Sequence, residues 1–222
     1  MIRSFSRMIP VLLLTCVLLV SAAPAAAQAL DVVTVGTVTA TSSTVVVPVY
    51  IRDVSATPLG IDQPAGSRIQ AYSIKVDYAP TSDVQSVVFQ RAGITAALTP
   101  SFELSPSLPG SVTLVNTFAE NTNLIPFTLD AAAPGNQIGE LVVTLAPGAT
   151  AGDVITLTLD AALTQLSNQG GTTSETVALN TLALVNGSIT VSAEAAAAVP
   201  TLTEWGLLLL ALGVVFIAIR HL

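Results

Sequence analysis

Several stretches in the middle of the chain alternate strictly between apolar and polar residues. In TVVVPVYIRD, residues 44–53, the valines and the isoleucine at every second position fall on one side. In AYSIKVDYAP, residues 71–80, aromatic and aliphatic residues alternate with small or charged ones, and DVITLTLD at 153–160 repeats the pattern. This period of two predicts β-strands that each have one buried face.

Further strand-like runs occupy most of the remaining chain between residues 30 and 192. They are VVTVGTVTA, VQSVVFQ, SVTLVNTF, QIGELVVTLAP, TVALNTLALV and GSITVS. Turn-forming segments such as APGNQ, APGATAGD and SNQGGT separate many of them. About nine short antiparallel strands at this spacing predict a two-sheet sandwich, because a single sheet with one wet face would expose much of the aliphatic content.

The excess of apolar residues lies largely at the two ends of the chain. The chain has 222 residues, of which 51% are hydrophobic and only 9% are charged, whereas soluble domains have roughly 25% charged residues. Between residues 28 and 199, thirteen acids face four bases. Such an acidic segment argues against nucleic acid or anionic lipid as a partner.

The N-terminus has the pattern of an export signal. Arg3 and Arg7 precede the apolar run MIPVLLLTCVLLV, and SAAPAAAQA then offers small residues to a signal peptidase. We predict a signal peptide over residues 1–27 with cleavage after Ala27, and Ala29 as the second choice. A lipoprotein signal is disfavoured because Cys16 lies inside the apolar run. Removal of this segment would leave a protein without cysteine.

The C-terminus has the pattern of a short membrane span. Residues 206–219 carry no charge and are flanked by Trp205 and Arg220, as aromatic and basic residues flank many transmembrane helices. The run is shorter than the roughly twenty residues of an ordinary span. With Arg220 as the membrane stop on the cytoplasmic side, the body is expected outside the inner membrane.

The residues before this span resemble the IPTL type of C-terminal sorting signal, a relative of the PEP-CTERM class. The matching positions are Val199, Pro200, Thr201, Leu202, Glu204, Trp205 and Gly206. Val199 stands where Ile is commoner, and one Arg followed by His replaces the usual arginine cluster. The resemblance implies that an exosortase-like enzyme cleaves near Pro200 within the segment 200–222, and that residues 193–199 are a spacer. The alternative is a plain membrane anchor without processing.

The body, residues 30–192, resembles a cohesin-like domain. The resemblance rests on VVVPVYIRDVS, IQAYSIKVDYAP with VQSVVF, QIGELVVTLAPGATAGDVITLTLD and LVNGSITV in this order. It implies a jelly-roll β-sandwich of about nine strands. Cohesins bind dockerin modules through one sheet face, and relatives of the fold bind polysaccharide.

The sequence offers little for catalysis, so we predict no enzyme activity and no cofactor, and we assign no metal ligands. Asp or Asn groups in loops leave calcium binding open, although there is no EF-hand string or nonapeptide repeat. The single histidine, His221, follows the apolar run, which argues against a Ser-His-Asp relay in the body. Two carboxylate pairs, Asp77 with Asp83 and Asp153 with Asp160, have the residue types of a glycosidase. A plainer interpretation makes Asp77 an outward strand residue and the other three turn formers.

Three functions follow as hypotheses. The first is a surface-sorted module that binds protein or matrix; the second is a polysaccharide-binding protein with a row of exposed aromatic residues. The third is an envelope hydrolase with two close carboxylates of raised pKa in a cleft. Tyr72 and Tyr78 share a strand face with aliphatic residues and are expected in or beside the core. Residues 92–110 show no clear alternation and are predicted to form a functional loop.

Overall fold

The structure is a computed structural model that describes residues 29–198, and this part of the chain is almost entirely β-strand and turn. The strands are β1 Asp31–Val35, β2 Thr37–Ala40, β3 Thr44–Arg52, β4 Ala71–Ala79, β5 Val84–Arg91, β6 Phe102–Leu104, β7 Ser107–Leu108, β8 Ser111–Thr117, β9 Asn136–Leu145, β10 Val154–Leu159, β11 Gln165–Ser167, β12 Ser174–Thr176, β13 Leu182–Val185 and β14 Gly187–Val191. Two short 3-10 turns, Thr81–Asp83 and Gly93–Thr95, flank β5, and a helix α1 spans Ala193–Ala198.

The strands form two sheets. The smaller sheet has the order β13-β1-β3-β9-β5. In the larger sheet, β12-β11-β4-β10-β14-β2 is one path, and β8 lies on the other side of β4, with β6 and β7 pairing to β8. Most pairs are antiparallel, whereas β1 with β13 and β2 with β14 are parallel. The expectation of an all-β sandwich is therefore confirmed.

One predicted strand is divided between the two sheets. The run VVTVGTVTA becomes β1 in the smaller sheet and β2 in the larger one, with Gly36 between them. The Gly36 N–H donates to the Pro48 carbonyl at 2.8 Å, and the position of a Cβ on Gly36 lies only 3.1 Å from the Pro48 ring. A residue without a side chain therefore allows the chain to cross the sandwich here.

The hydrophobic core lies between the sheets and follows the alternation of the strands. In β3 the residues at every second position from Val45 to Ile51 are buried, and β8 buries Val112, Leu114 and Asn116. The largest buried side chains include Tyr72, Phe89 and Phe118. Each large apolar side chain removed from water contributes about 1.5–3 kcal/mol.

The expected number of about nine strands is wrong, because the described residues form fourteen. All nine predicted runs contain strands, but two of them, VVTVGTVTA and TVALNTLALV, each contribute parts of two strands. Three of the additional strands, β6, β7 and β11, have only two or three residues. A segment of this length is too short for a period of two to be visible.

No helix within residues 29–198 is long and apolar enough to cross a bilayer. The longest described helix is α1, which has six residues at the start of the predicted spacer. Its Ala195 is buried against the core.

Candidate functional site

The outward side of the larger sheet, here called the outer face, is a surface of small polar residues with a charged centre. Strands β4, β8 and β10 contribute alternate residues to it, such as Ser73, Thr113 and Thr156. At its centre the Lys75 ammonium contacts the carboxylates of Asp77 at 3.0 Å and Asp160 at 2.8 Å. The hydrogen bond to Asp160 and then that to Asp77 raise the pKa of Lys75, and Lys75 lowers the pKa of Asp160.

The outer face ends in a row of exposed apolar side chains, here called the apolar edge: Phe102, Leu104 and Leu108. Phe102 and Leu104 are each 52% exposed and Leu108 is 65% exposed. Leu104 lies opposite Val115 of β8, and Phe102 lies opposite Thr117, so both side chains project on the outer face. An open groove of about 450 Å³ begins at Leu108 and runs along the start of β5.

The apolar edge belongs to the segment 92–110 that was predicted to be an irregular functional loop. It is more ordered than predicted, since it contains a 3-10 turn and both β6 and β7. The Arg91 guanidinium donates to the carbonyls of Thr95 and Leu98, each at 2.7 Å, and forms an ion pair with Glu103 at 2.9 Å. Arg91 thereby fixes the segment against the end of β5.

A second cluster of polar residues is buried at the end of the sandwich where β3 terminates. The side chains of Asp31, Asp53 and Glu175 are fully buried. Each accepts one hydrogen bond from a backbone N–H of the loop after β3: Asp31 from Val54 at 2.8 Å, Asp53 from Ile61 at 2.8 Å, and Glu175 from Leu59 at 2.8 Å. Within the described residues, no N–H or hydroxyl group donates a hydrogen bond to the other oxygen of each carboxyl group.

Burial and mutual repulsion raise the pKa values of this cluster. Burial, with the hydrogen bond and charge of Glu175, raises the pKa of Asp31 to about 9. Burial also raises the pKa of Glu175 and raises that of Asp53 to about 6, and the charges of Asp31, Asp62 and Asp130 add to the shift of Asp53. Asp31 and Glu175 therefore titrate as a coupled pair that keeps a proton at neutral pH.

Comparison with known proteins gives one sequence match and a set of structural matches. Residues 197–214 match the model of the IPTL-CTERM motif. No curated protein sequence matches the chain. The third cohesin of ScaC from Acetivibrio cellulolyticus, solved in complex with the ScaB dockerin, has 17% identity and a TM-score of 0.53, and covers 74% of this chain and 100% of its own.

Two structures of CaCohA2 agree with this result. The complex of CaCohA2 with CaDoc0917 gives 23% identity and a TM-score of 0.51, with 73% of this chain and 99% of that chain covered. The solution structure of CaCohA2 from Clostridium acetobutylicum gives 20% identity and a TM-score of 0.51, covering 76% and 94%. The body has a cohesin-like fold. The chain therefore combines a cohesin-like sandwich with an IPTL-CTERM motif at its C-terminus, as both resemblances in the sequence indicated.

The tyrosines of this cohesin-like sandwich do not form an exposed row within residues 29–198. Tyr72 is buried, its hydroxyl accepts a hydrogen bond from the Asn116 amide at 3.1 Å, and burial raises its pKa to about 12. Tyr78 is half-buried on the same strand, and Tyr50 is half-buried in the other sheet. The predicted place of Tyr72 and Tyr78 in or beside the core is confirmed.

The two carboxylate pairs weighed for glycosidase chemistry are engaged in other contacts. Asp153 accepts two hydrogen bonds from Thr150, each at 2.7 Å, and closes a turn as predicted. The backbone N–H of Thr150 lowers the pKa of Asp153, and Lys75 lowers that of Asp160. A glycosidase acid needs a raised pKa. Asp77 contacts Lys75, and Asp83 accepts from the Ser82 hydroxyl at 2.9 Å.

The carboxyl groups whose pKa values are raised were not singled out from the sequence. The sequence contains a signal for two of them. Asp31 precedes Val33 and Val35 at alternate positions of β1, and all three are buried. Asp53 likewise continues the alternate buried positions of Val49 and Ile51 in β3. Although a hydrolase would be expected to have such a pair, these side chains are fully buried and do not line the groove beside Leu108. A polymeric substrate has no access to them.

Several predicted positions lie outside the described residues. They are the signal peptide with Ala27, the sorting residues Val199, Pro200, Thr201, Leu202, Glu204, Trp205 and Gly206, and the membrane stop Arg220. The family match at 197–214 supports the identity of the motif. Cleavage and membrane insertion stay predictions.

Proposed function

We propose that this protein is exported and that its cohesin-like sandwich binds a protein partner through the outer face of the larger sheet. The observation that carries this proposal is the apolar edge beside the Lys75 cluster. Three apolar side chains that are at least half exposed lie on the same surface as the charged centre, on the other side of β8. Apolar anchors next to hydrogen-bonding polar groups are the arrangement found in specific protein interfaces.

A folded protein module fits this surface better than a polysaccharide does. The ScaC cohesin that shares the fold was solved in complex with a dockerin, which supports a protein ligand of similar chemistry. Sugar-binding sandwiches use exposed aromatic rings that stack on sugar faces. All three tyrosines of this chain are buried or half-buried, and Phe102 is the single exposed aromatic ring within residues 29–198. One ring does not form a row, so polysaccharide binding, the alternative, has less support. We also propose that the sandwich has no catalytic activity.

A capture experiment with a matched pair of variants tests the binding surface. The full-length protein is immobilised and exposed to the surface extract of its own organism. We expect Leu104→Glu to reduce capture of the partner by about tenfold or more, because a charge replaces an apolar anchor. Val88→Glu is the control, since Val88 is also 52% exposed but belongs to the smaller sheet. Equal capture by both variants would exclude the outer face as the binding surface.

For the C-terminus, we propose that the IPTL-CTERM motif is a temporary membrane anchor processed by an exosortase-like enzyme. The apolar residues 206–219 would hold the exported body at the inner membrane, and Pro200 would keep the residues before the span out of a continuous helix. The match over residues 197–214 supports this role. Cleavage near Pro200 would release the body towards the cell surface.

Mass spectrometry of the protein isolated from its native envelope tests processing. We expect an N-terminus created by cleavage after Ala27 and a C-terminus near Pro200. A Trp205→Ala variant is expected to accumulate uncleaved, because it alters the motif without shortening the apolar run. A mature wild-type protein that still ends at Leu222 would contradict processing and favour the plain membrane anchor.

A further inference from the structure

The end of the sandwich where β3 terminates carries an excess of negative charge, with Arg52 as a nearby base. Asp31, Asp53, Asp62, Asp130 and Glu175 gather there, and no lysine or arginine in residues 29–198 forms an ion pair with any of them. Asp31, Asp53 and Glu175 are fully buried, and each has one oxygen without a donor. Buried carboxyl groups of this kind require a proton or a cation. Asp31 has the Glu175 carboxyl group as a hydrogen-bonding partner, whereas Asp53 has no such side-chain partner.

The unpaired oxygen of Asp53 lies beside Gly60, and so does one oxygen of Asp62. Asp53 Oδ2 accepts the Ile61 N–H at 2.8 Å, whereas Oδ1 is buried and unpaired. Oδ1 of Asp53 and Oδ1 of Asp62 lie 2.6 and 2.7 Å from the position that a Cβ would occupy on Gly60. Two carboxylate oxygens thus converge beside a glycine whose φ of +153° also disfavours a side chain.

We propose that Asp53 and Asp62 bind one calcium ion, with main-chain oxygens and water completing its shell. No three His, Cys, Asp or Glu side chains within residues 29–198 form a ready-made metal cluster, so the site has two carboxylate ligands. Asp62 is exposed and gives the ion access from solvent. The carboxylate of Asp130, held at the same end by the Ser55 N–H at 3.0 Å, adds to the negative potential.

The ligand chemistry selects calcium over other metals. Residues 29–198 contain neither cysteine nor histidine, so soft or borderline metals lack their preferred ligands. Calcium accepts six to eight oxygen ligands in irregular geometry, whereas Mg²⁺ demands a near-ideal octahedron. A loop that supplies two carboxylates, with main-chain oxygens and water as the remaining ligands, therefore suits calcium, with the affinity of extracellular modules, a Kd of about 10⁻⁴–10⁻³ M.

Calcium titration of the EDTA-treated and dialysed full-length protein tests the site. Isothermal titration calorimetry with CaCl₂ is expected to show one saturable site, and about 10 mM CaCl₂ should raise the Tm by a few degrees. Asp53→Asn and Asp62→Asn should each weaken binding by about tenfold or more. Asp62 is exposed, so its variant tests the site even where Asp53→Asn fails to fold. Asp83→Asn, at the opposite end of the smaller sheet, is the control and should bind as the wild type does.

Two results would overturn the proposal. One is a wild-type protein that shows neither saturable calcium binding nor a rise in Tm, which would leave protons as the compensating charge. The other is undiminished binding by Asp62→Asn, which would place any calcium elsewhere. Mg²⁺ at the same concentration should produce a smaller shift in Tm. This calcium test can fail or succeed separately from the capture experiment, because the Leu104→Glu variant used there leaves Asp53 and Asp62 unchanged.

Discussion

Replacing Asp31 by Asn should remove most of the pH dependence of stability between about pH 5 and pH 7. The native protein keeps Asp31 protonated because its pKa is raised to about 9, whereas the unfolded chain ionises it near the ordinary value of 3.8. A raised pKa contributes stability that is complete below the unfolded value and is lost as pH rises towards the folded one. With one more proton in the native state, the free energy of unfolding falls by about 1.4 kcal/mol per pH unit.

The structure explains why Asn suits this position. Its carbonyl oxygen can accept the Val54 N–H that Asp31 accepts at 2.8 Å, and its amide can donate to Glu175 in place of the shared proton. Between pH 5 and pH 7 the wild type should therefore lose about 3 kcal/mol from Asp31. Asp53, whose pKa is raised to about 6, adds to the slope in the lower half of this range. Asp31→Asn should be the more stable protein at pH 7.

Urea unfolding followed by circular dichroism, in EDTA to exclude bound cations, measures this difference. The variant's slope should be smaller than that of the wild type by about 1.4 kcal/mol per pH unit. Asp83→Asn, the same chemical change at the other end of the smaller sheet, should keep the wild-type slope. The reasoning is refuted if Asp31→Asn and the wild type lose stability in parallel, or if wild-type stability rises with pH.

The remaining predictions concern stability. Phe89→Ala should lower the free energy of unfolding by about 3–5 kcal/mol, because Phe89 is buried. Val88→Ala, on the exposed side of the same strand, should change it by about 0.5 kcal/mol or less. Equal losses for the two variants in urea unfolding would contradict the assigned strand faces. Gly60→Ala should cost about 1–3 kcal/mol in thermal unfolding, since its φ of +153° and two nearby carboxylates leave no room for a methyl group; an unchanged Tm would argue against this loop geometry. Lys75→Met should change the free energy of unfolding little at neutral pH, because its ion pairs are partly exposed. A large loss in urea unfolding would show that these ion pairs contribute more than their exposure suggests.

The long strands were predictable because their alternation extends over enough residues. β3 and β4 have nine residues each, and tertiary burial reinforces the same period that the sequence shows. The short strands β6, β7 and β11 depend instead on pairing with distant partners, and β1 and β2 separate where Gly36 crosses the sandwich. Such long-range pairing leaves no local pattern.

The candidate surfaces were predictable in part. The lack of alternation in residues 92–110 indicated a functional segment, but the sequence did not show that Arg91 would anchor it and present Phe102 and Leu104 on the outer face. The alternation of β1 and β3 predicts that the side chains of Asp31 and Asp53 point into the core. Glu175 lies in a strand of only three residues, so no local pattern predicts its burial. Its approach to Asp31 is a property of the assembled sandwich.

Hydrogen exchange of the full-length protein, with and without its captured partner, tests most directly whether the outer face is the contact surface. Binding should slow exchange of backbone amides in residues 71–79 and 102–117, which form β4 and the segment from β6 to β8. Exchange in residues 44–52 and 84–91 of the smaller sheet should change little. Protection confined to the smaller sheet would contradict the proposed binding surface.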